Sequence, residues 1–130
     1  MTTDQSLAEF PSARAFQPTL DHMLERIRVA GMKVFAAIDH AAGAREVGLS
    51  MPPTVLVLYG HAVGGTPVML AAPLLALDLP LRALLRETVD GRVLLSFHPI
   101  APLLEASGIA PEQIARLEAA QRVVLGALGT

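Results

Sequence analysis

The chain has 130 residues and a formal net charge of −2, and 52% of its residues are hydrophobic while 17% are charged. This length suits one domain with one core, and the composition is too apolar for a disordered chain. No cluster of basic residues is present, so the chain lacks the positive patch of a nucleic-acid-binding protein. The chain also has no cysteine, which excludes disulfides, thiolate metal sites and cysteine nucleophiles.

The N-terminal segment has no basic head followed by an apolar run, so no signal peptide is predicted. We interpret residues 1–17 as a partly ordered tail, held by Phe10 and Phe16, and residues 18–130 as a single domain. The lack of cysteine and of a signal peptide fits a cytoplasmic protein, which is the location we expect.

The first helix is predicted in the segment 18–32, where apolar residues recur at helical spacing. Thr19 is a residue that caps helix starts, and Gly31 stands where a left-handed residue ends a helix. The apolar stripe consists of Leu20, Met23, Leu24 and Ile27.

Two strands and two helices are predicted next. Residues 32–39 alternate like a strand, and a short helix follows that ends at Gly48. The run 54–60 is continuously apolar, which favours a central strand buried on both faces. A glycine loop then leads to Thr66-Pro67, which resembles an N-cap followed by proline at the first helical position, and Pro73 kinks or divides that helix.

A hairpin and two helices complete the predicted chain. Asp90-Gly91 lies between two apolar runs, which is a strong signal for a two-residue hairpin loop. A short helix follows, and the C-terminal helix has Pro111 in its first turn. This order predicts an α/β (α+β) domain, a two-layer sandwich with a mixed, about four-stranded sheet and helices mainly on one face.

The uncharged stretch between Glu46 and Asp78 raises the question of a membrane span. A span needs about 20 mostly apolar residues in one helix. Prolines and glycines interrupt this stretch repeatedly, so its backbone could not satisfy its hydrogen bonds in lipid. We therefore expect a soluble domain without a membrane partner, whose excess of apolar residues is partly covered by a second subunit.

Several short motifs together resemble a bacterial family catalogued as domain of unknown function 302. They are Ile38-Asp39-His40 after a strand, Pro52-Pro53-Thr54, Gly65-Thr66-Pro67, and Asp78-Leu79-Pro80-Leu81, within residues 18–108. The resemblance implies a small α/β protein that tends to form homodimers. It implies no activity, substrate, cofactor or catalytic residue. This chain departs from the family pattern in one segment. Where the family often has Asn and Lys-Ala, this chain has Gly60-His61-Ala62-Val63-Gly64.

Asp39 and His40 form the first candidate site. His40 could act as a general base or a metal ligand, oriented by the Asp39 carboxylate. Adjacent strand residues point to opposite faces, however, so Asp39 need not contact His40. The alternative, which we favour, is that Asp39 caps the following helix.

His61 and the residues Gly64, Gly65 and Thr66 form the second candidate site. If strands 32–39 and 54–60 are parallel neighbours, His40 and His61 emerge at the same end of the sheet. They would then share a cleft with the helix start at Thr66, which attracts a small anionic ligand. The alternative is a flexible turn before a capped helix.

The remaining polar residues give weaker signals. A three-histidine zinc site that includes His22 or His98 lacks any recognisable ligand spacing, so no metal site is predicted. Arg82 and Arg86 fall on one face of a hairpin strand, where they could bind an anion or keep a sheet edge soluble.

Two functions from different classes follow from these observations. The favoured one is a homodimeric module for small-ligand binding or protein interaction. The other is a small enzyme or metal-dependent catalyst that uses His40 and His61 at the ends of adjacent strands. Whether the protein is an enzyme depends on whether these two histidines share a cleft.

Overall fold

The computed structural model describes residues 7–129, which form one sheet and a layer of helices. The strands are β1 (Ala8–Pro11), β2 (Lys33–Asp39), β3 (Thr54–Gly60), β4 (Leu81–Glu87) and β5 (Val93–Phe97). The helices are α1 (Phe16–Val29), α2 (His40–Glu46), α3 (Ala62–Ala71), α4 (Ala101–Ala106) and α5 (Pro111–Arg122). Two 3₁₀ segments, Pro73–Asp78 and Val123–Ala127, follow α3 and α5.

The strands are arranged in the order β1-β5-β4-β3-β2, and each neighbouring pair is antiparallel. The predicted class, helices packed on a sheet, is confirmed. The expectation of parallel pairing between β2 and β3 is wrong. Residues 40–53 are a connection near the lower length limit of a parallel crossover, so the element order alone was compatible with either pairing.

The main core lies on one face of the sheet, as the alternation of burial along β3 and β4 indicates. Val57, Tyr59 and Leu85 are fully buried there, and they belong to the same cluster as Met23 and Ile27 of α1. On the opposite face, the side chains of β3 and β4 are only partly buried or exposed; they are Thr54, Leu56, Leu58, Arg82, Leu84 and Arg86.

The edge strand β1 was not predicted, because it lies in the segment interpreted as a tail. Glu9 fixes it to the sheet: its Oε2 accepts a hydrogen bond from Ser96 Oγ at 2.8 Å and lies 3.5 Å from an Arg86 guanidinium nitrogen. The Phe10 ring also lies 6.1 Å from that of Phe97. Residues 8–17 are therefore part of the domain, while residues 1–6 of the predicted tail lie outside the described residues.

Two helices begin earlier than the sequence indicated. α1 begins at Phe16, so Thr19 lies inside it, buried, with its hydroxyl donating to the Ala15 carbonyl at 2.8 Å. α3 begins at Ala62 with His61 as its N-cap, which places Thr66 and Pro67 within the helix rather than at its start. A cap residue needs a side-chain acceptor for a free helix N–H, and the imidazole Nδ1 of His61 supplies one here.

The hairpin between β4 and β5 forms around the predicted Asp90-Gly91 pair, but its loop is longer than two residues. Thr88 N–H donates to the Arg92 carbonyl at 2.7 Å, and Gly91 N–H donates to the Thr88 carbonyl at 2.9 Å. The loop therefore has three residues, 89–91. Gly91 has a φ of 89°, which is the left-handed conformation that the last residue of such a loop adopts.

Candidate functional site

Asp39 acts as the N-cap of α2. Its Oδ1 accepts a hydrogen bond from Ala42 N–H at 2.9 Å, and its backbone is extended while the helix begins at His40. The cap interpretation of Asp39 is confirmed. His40, in the first helical position, is exposed.

His40 and His61 do not share a cleft. Asp39 at the end of β2 pairs with Val55 near the start of β3, and Lys33 at the start of β2 pairs with Gly60 at the end of β3. The two histidines therefore follow opposite ends of an antiparallel pair, about 20 Å apart along a seven-residue strand. The hypothesis of one site that uses both histidines is wrong, because it required parallel strands.

His61 has a structural role at the start of α3. Its Nδ1 accepts a hydrogen bond from Val63 N–H at 3.1 Å, while its carbonyl accepts from Gly64 and Gly65 N–H at 3.0 and 2.9 Å. Since Nδ1 accepts, it carries no proton in this arrangement, and the other ring nitrogen remains available. His61 is itself exposed, at the edge of a cavity.

This cavity, here named the α3–α5 cavity, has a volume of about 680 Å³. It lies between the first turns of α3, the second half of α5, the α1–β2 corner and the segment 79–81. Its volume falls within the range of about 300–1,000 Å³ that is typical of small-molecule sites. Four of the residues selected from the sequence line it, namely His61, Gly64, Gly65 and Thr66.

Two glycines at the start of α3 line the cavity. A Cβ at Gly64 would lie 3.4 Å from Arg116 Cδ, so the arginine stem of α5 lies close against α3 at this glycine. A Cβ at Gly65 would come no closer than 3.9 Å to Met69 and 4.0 Å to Leu79, which leaves room in the cavity at that position.

A second cavity, of about 810 Å³, contains His40 and His98 in its lining. It lies along the sheet face opposite the main core, where Leu56, Leu84 and Arg82 also line it. Arg82 is within 3.8 Å of Asp78, an exposed pair of the kind that contributes little to stability. Asp39 is absent from both linings.

Metal ligands are not brought together in the part of the chain that the structure describes. Residues 7–129 contain no group of three histidine, aspartate or glutamate side chains that could hold an ion. His22 is exposed on α1 and lines neither cavity.

Among residues 7–129, Tyr59 is the one buried titratable group next to these elements. Its side chain is fully buried, and its hydroxyl has no hydrogen-bond partner among the described residues. Burial raises the pKa of Tyr59 well above the usual tyrosine range. The group is therefore neutral and belongs to the core rather than to either cavity lining.

Sequence reasoning missed Arg116, the charged member of the α3–α5 cavity lining. Arg116 is separated from Gly64 by about fifty positions, and its surroundings on α5 resemble an ordinary solvated helix face. No local pattern carries this information, because the contact depends on how α5 packs against α3.

Comparison with known proteins gives one family and one fold. The family model described as domain of unknown function DUF302 matches residues 8–124. A solved structure described as an uncharacterized conserved DUF302 protein from Bacillus stearothermophilus superposes with a TM-score of 0.81 at 16% identity, over 95% of this chain and 98% of that one. At this identity, the likeness shows the fold alone.

Curated relatives are much longer than the matched segment. Fluoride-specific ion channel FluC 1 of Brucella suis biovar 1 (strain 1330) is 36% identical over 102 residues, which are 78% of this chain and 40% of that protein. FluC 1 of Brucella abortus biovar 1 (strain 9-941) is also 36% identical, over 38% of its length. The chain thus spans about two fifths of the length of these relatives. Within residues 7–129, no helix has the length and apolarity to cross a membrane.

Proposed function

The chain belongs to the DUF302 family, and from this premise we propose that it is a homodimeric module that binds a small ligand in the α3–α5 cavity. The single observation that carries the proposal is the cavity itself, which has the volume of a ligand site and a mostly apolar lining with few polar groups. One of those groups is an arginine, which favours a small anionic ligand. A cytoplasmic location is part of the proposal and is supported by the lack of cysteine.

A fragment screen by two-dimensional amide NMR tests the ligand site. Ala119 and Ala115 are both exposed on α5, but only Ala119 lines the cavity. In Ala119→Phe, the ring occupies the cavity mouth, so fragments that shift the amide signals of Gly64 and Gly65 in the wild type no longer do so. Ala115→Phe is the matched control and keeps the shifts. If no fragment perturbs these signals in the wild type, the ligand-binding function is refuted.

Support for the homodimer comes from an exposed apolar segment after the cavity. Leu70, Leu74 and Leu77, here named the leucine segment, are 78–80% exposed. Positions 47–77 contain no charged residue, which favours burial of this segment by a second subunit. Isolated exposed leucines are common, whereas three within eight positions in an uncharged stretch favour an interface.

A second candidate function follows from the relatives named as fluoride-specific ion channels, which are 36% identical to this chain. In this alternative, the domain works with such a channel and senses its ion. To test this alternative, the purified protein is titrated with sodium fluoride and the linewidth of the fluoride ¹⁹F NMR signal is measured. Broadening that Arg116→Met abolishes supports the alternative, and an unchanged linewidth with wild-type protein counts against it.

A further inference from the structure

The exposed part of the α3–α5 cavity lining contains polar side chains together with apolar ones such as Phe35 and Val63, whereas the buried part is apolar. The polar side chains of the lining, His61, Thr66 and Arg116, are all exposed. The buried lining residues are all glycine or leucine, and they are Gly60, Gly64, Leu81 and Leu117. A molecule that fills the cavity therefore meets polar groups at the mouth and an apolar surface at the floor.

Arg116 gives the mouth of the cavity a single positive charge. The lining contains no aspartate or glutamate and no other lysine or arginine. Within residues 7–129, no carboxylate lies within 4.0 Å of the Arg116 guanidinium, in contrast to Arg82, Arg86 and Arg92, which all have such a partner. The Arg116 stem lies beside Gly64, since a Cβ built at that glycine would be 3.4 Å from Arg116 Cδ.

Resting on the proposed function, we infer that the ligand is a monocarboxylate with an apolar body. A guanidinium presents paired N–H donors that match a carboxylate, and hydrogen bonds to charged groups are stronger than those between neutral ones. The apolar body lies toward Leu81 and Leu117. A second negative charge on that body has no cation to pair with, so its burial is unfavourable.

The flexible side chains at the cavity wall determine how selective the site is for the apolar body. Met32 and Met69 line the cavity, and methionine fills irregular space and adapts to different shapes. The site therefore discriminates by the charge of the head group more strongly than by the length of the body.

Calorimetric titration with four compounds that share one chain length tests this inference. They are octanoate, octan-1-ol, octylammonium and octanedioate. Wild-type protein is expected to bind octanoate about two- to fivefold more tightly than octan-1-ol, as the pairing of a carboxylate with an exposed guanidinium implies. Octylammonium should bind more weakly than octanoate because it brings a like charge to Arg116. Octanedioate should also bind more weakly because its second carboxylate is buried without a partner.

Arg116→Met keeps an apolar stem against Gly64 and removes the charge. The affinity of this variant for octanoate should therefore fall to its affinity for octan-1-ol. Arg116→Gln is a second variant with the same expectation. Arg122→Met is the matched control on the same helix, because Arg122 is exposed and does not line the cavity. It should leave the preference for octanoate unchanged.

Two results separate this inference from the function on which it rests. If octan-1-ol binds as tightly as octanoate and Ala119→Phe abolishes both, the site exists but the carboxylate inference is overturned. If none of the four compounds binds, the inference is overturned as well, and the fragment screen then decides the ligand-binding function by itself.

Discussion

Asp39 and His61, both selected from the sequence as candidate ligands, each accept a hydrogen bond from a helix N–H. The acceptor atoms are Asp39 Oδ1 for Ala42 and His61 Nδ1 for Val63. A polar residue between a strand and a helix is needed for capping whether or not a ligand binds there. Such residues therefore attract functional interpretations that only the three-dimensional surroundings can decide.

For Asp39, removal of the cap should lower the free energy of unfolding. Asp39→Ala loses the acceptor for Ala42 N–H and is expected to cost about 1 kcal/mol. Asp39→Asn keeps an acceptor oxygen and is the matched control, with a change of only a few tenths of a kcal/mol. Chemical denaturation measures both. Equal midpoints for wild type and Asp39→Ala would contradict the capping role.

Tyr59 provides a prediction that depends on pH. Its pKa is raised in the folded state, so above the usual tyrosine value of about 10 the unfolded chain releases the proton while the folded chain keeps it. Stability is therefore unaffected by this group at neutral pH and falls as the pH rises beyond about 10. Because Tyr59 is the single tyrosine and no tryptophan is present, its ultraviolet absorbance should show tyrosinate only as the protein unfolds.

Tyr59→Phe is the matched variant for this titration. It removes a buried hydroxyl that has no partner among the described residues, so it should raise the free energy of unfolding by about 1 kcal/mol at neutral pH. It should also lack the alkaline decrease that tyrosine ionisation causes. A lower denaturation midpoint for Tyr59→Phe would mean that the hydroxyl is hydrogen-bonded in solution.

At the scale of elements, the pairing of β2 with β3 determines which residues can act together. Antiparallel pairing puts α2 and α3 at opposite ends of the sheet, so His40 and the residues 61–66 line different cavities. The start of α3 is the element on which the proposed site depends, because its backbone, its cap and its glycines all contribute to the cavity.

His61 variants separate the cap of α3 from any contact with a ligand. His61→Ala removes the acceptor for Val63 N–H and should cost about 1 kcal/mol of stability. His61→Asn keeps a cap and removes the imidazole, so it should melt close to wild type. If His61 also contacts the ligand, His61→Asn weakens binding without loss of stability. A wild-type melting temperature for His61→Ala would refute the capping role.

At the scale of the whole molecule, we expect two copies to associate through the leucine segment. Light scattering at micromolar concentration should give twice the 13.7 kDa of one chain. Leu74→Glu places a charge in the proposed interface and should give the mass of a single chain. Val89→Glu, at the tip of the β4–β5 hairpin and 98% exposed, is the matched control and should stay dimeric. A wild-type monomer would contradict the homodimer.

The sequence by itself determined the elements with local signals and the family. Helical spacing predicted α1, Asp90-Gly91 predicted the hairpin, and Asp39 was identified as a cap, because each of these depends on neighbours along the chain. The tertiary structure alone decided the antiparallel sheet, the edge strand β1 and the position of Arg116 beside Gly64. These features arise from contacts between residues far apart in sequence, and periodicity and capping carry no information about such contacts.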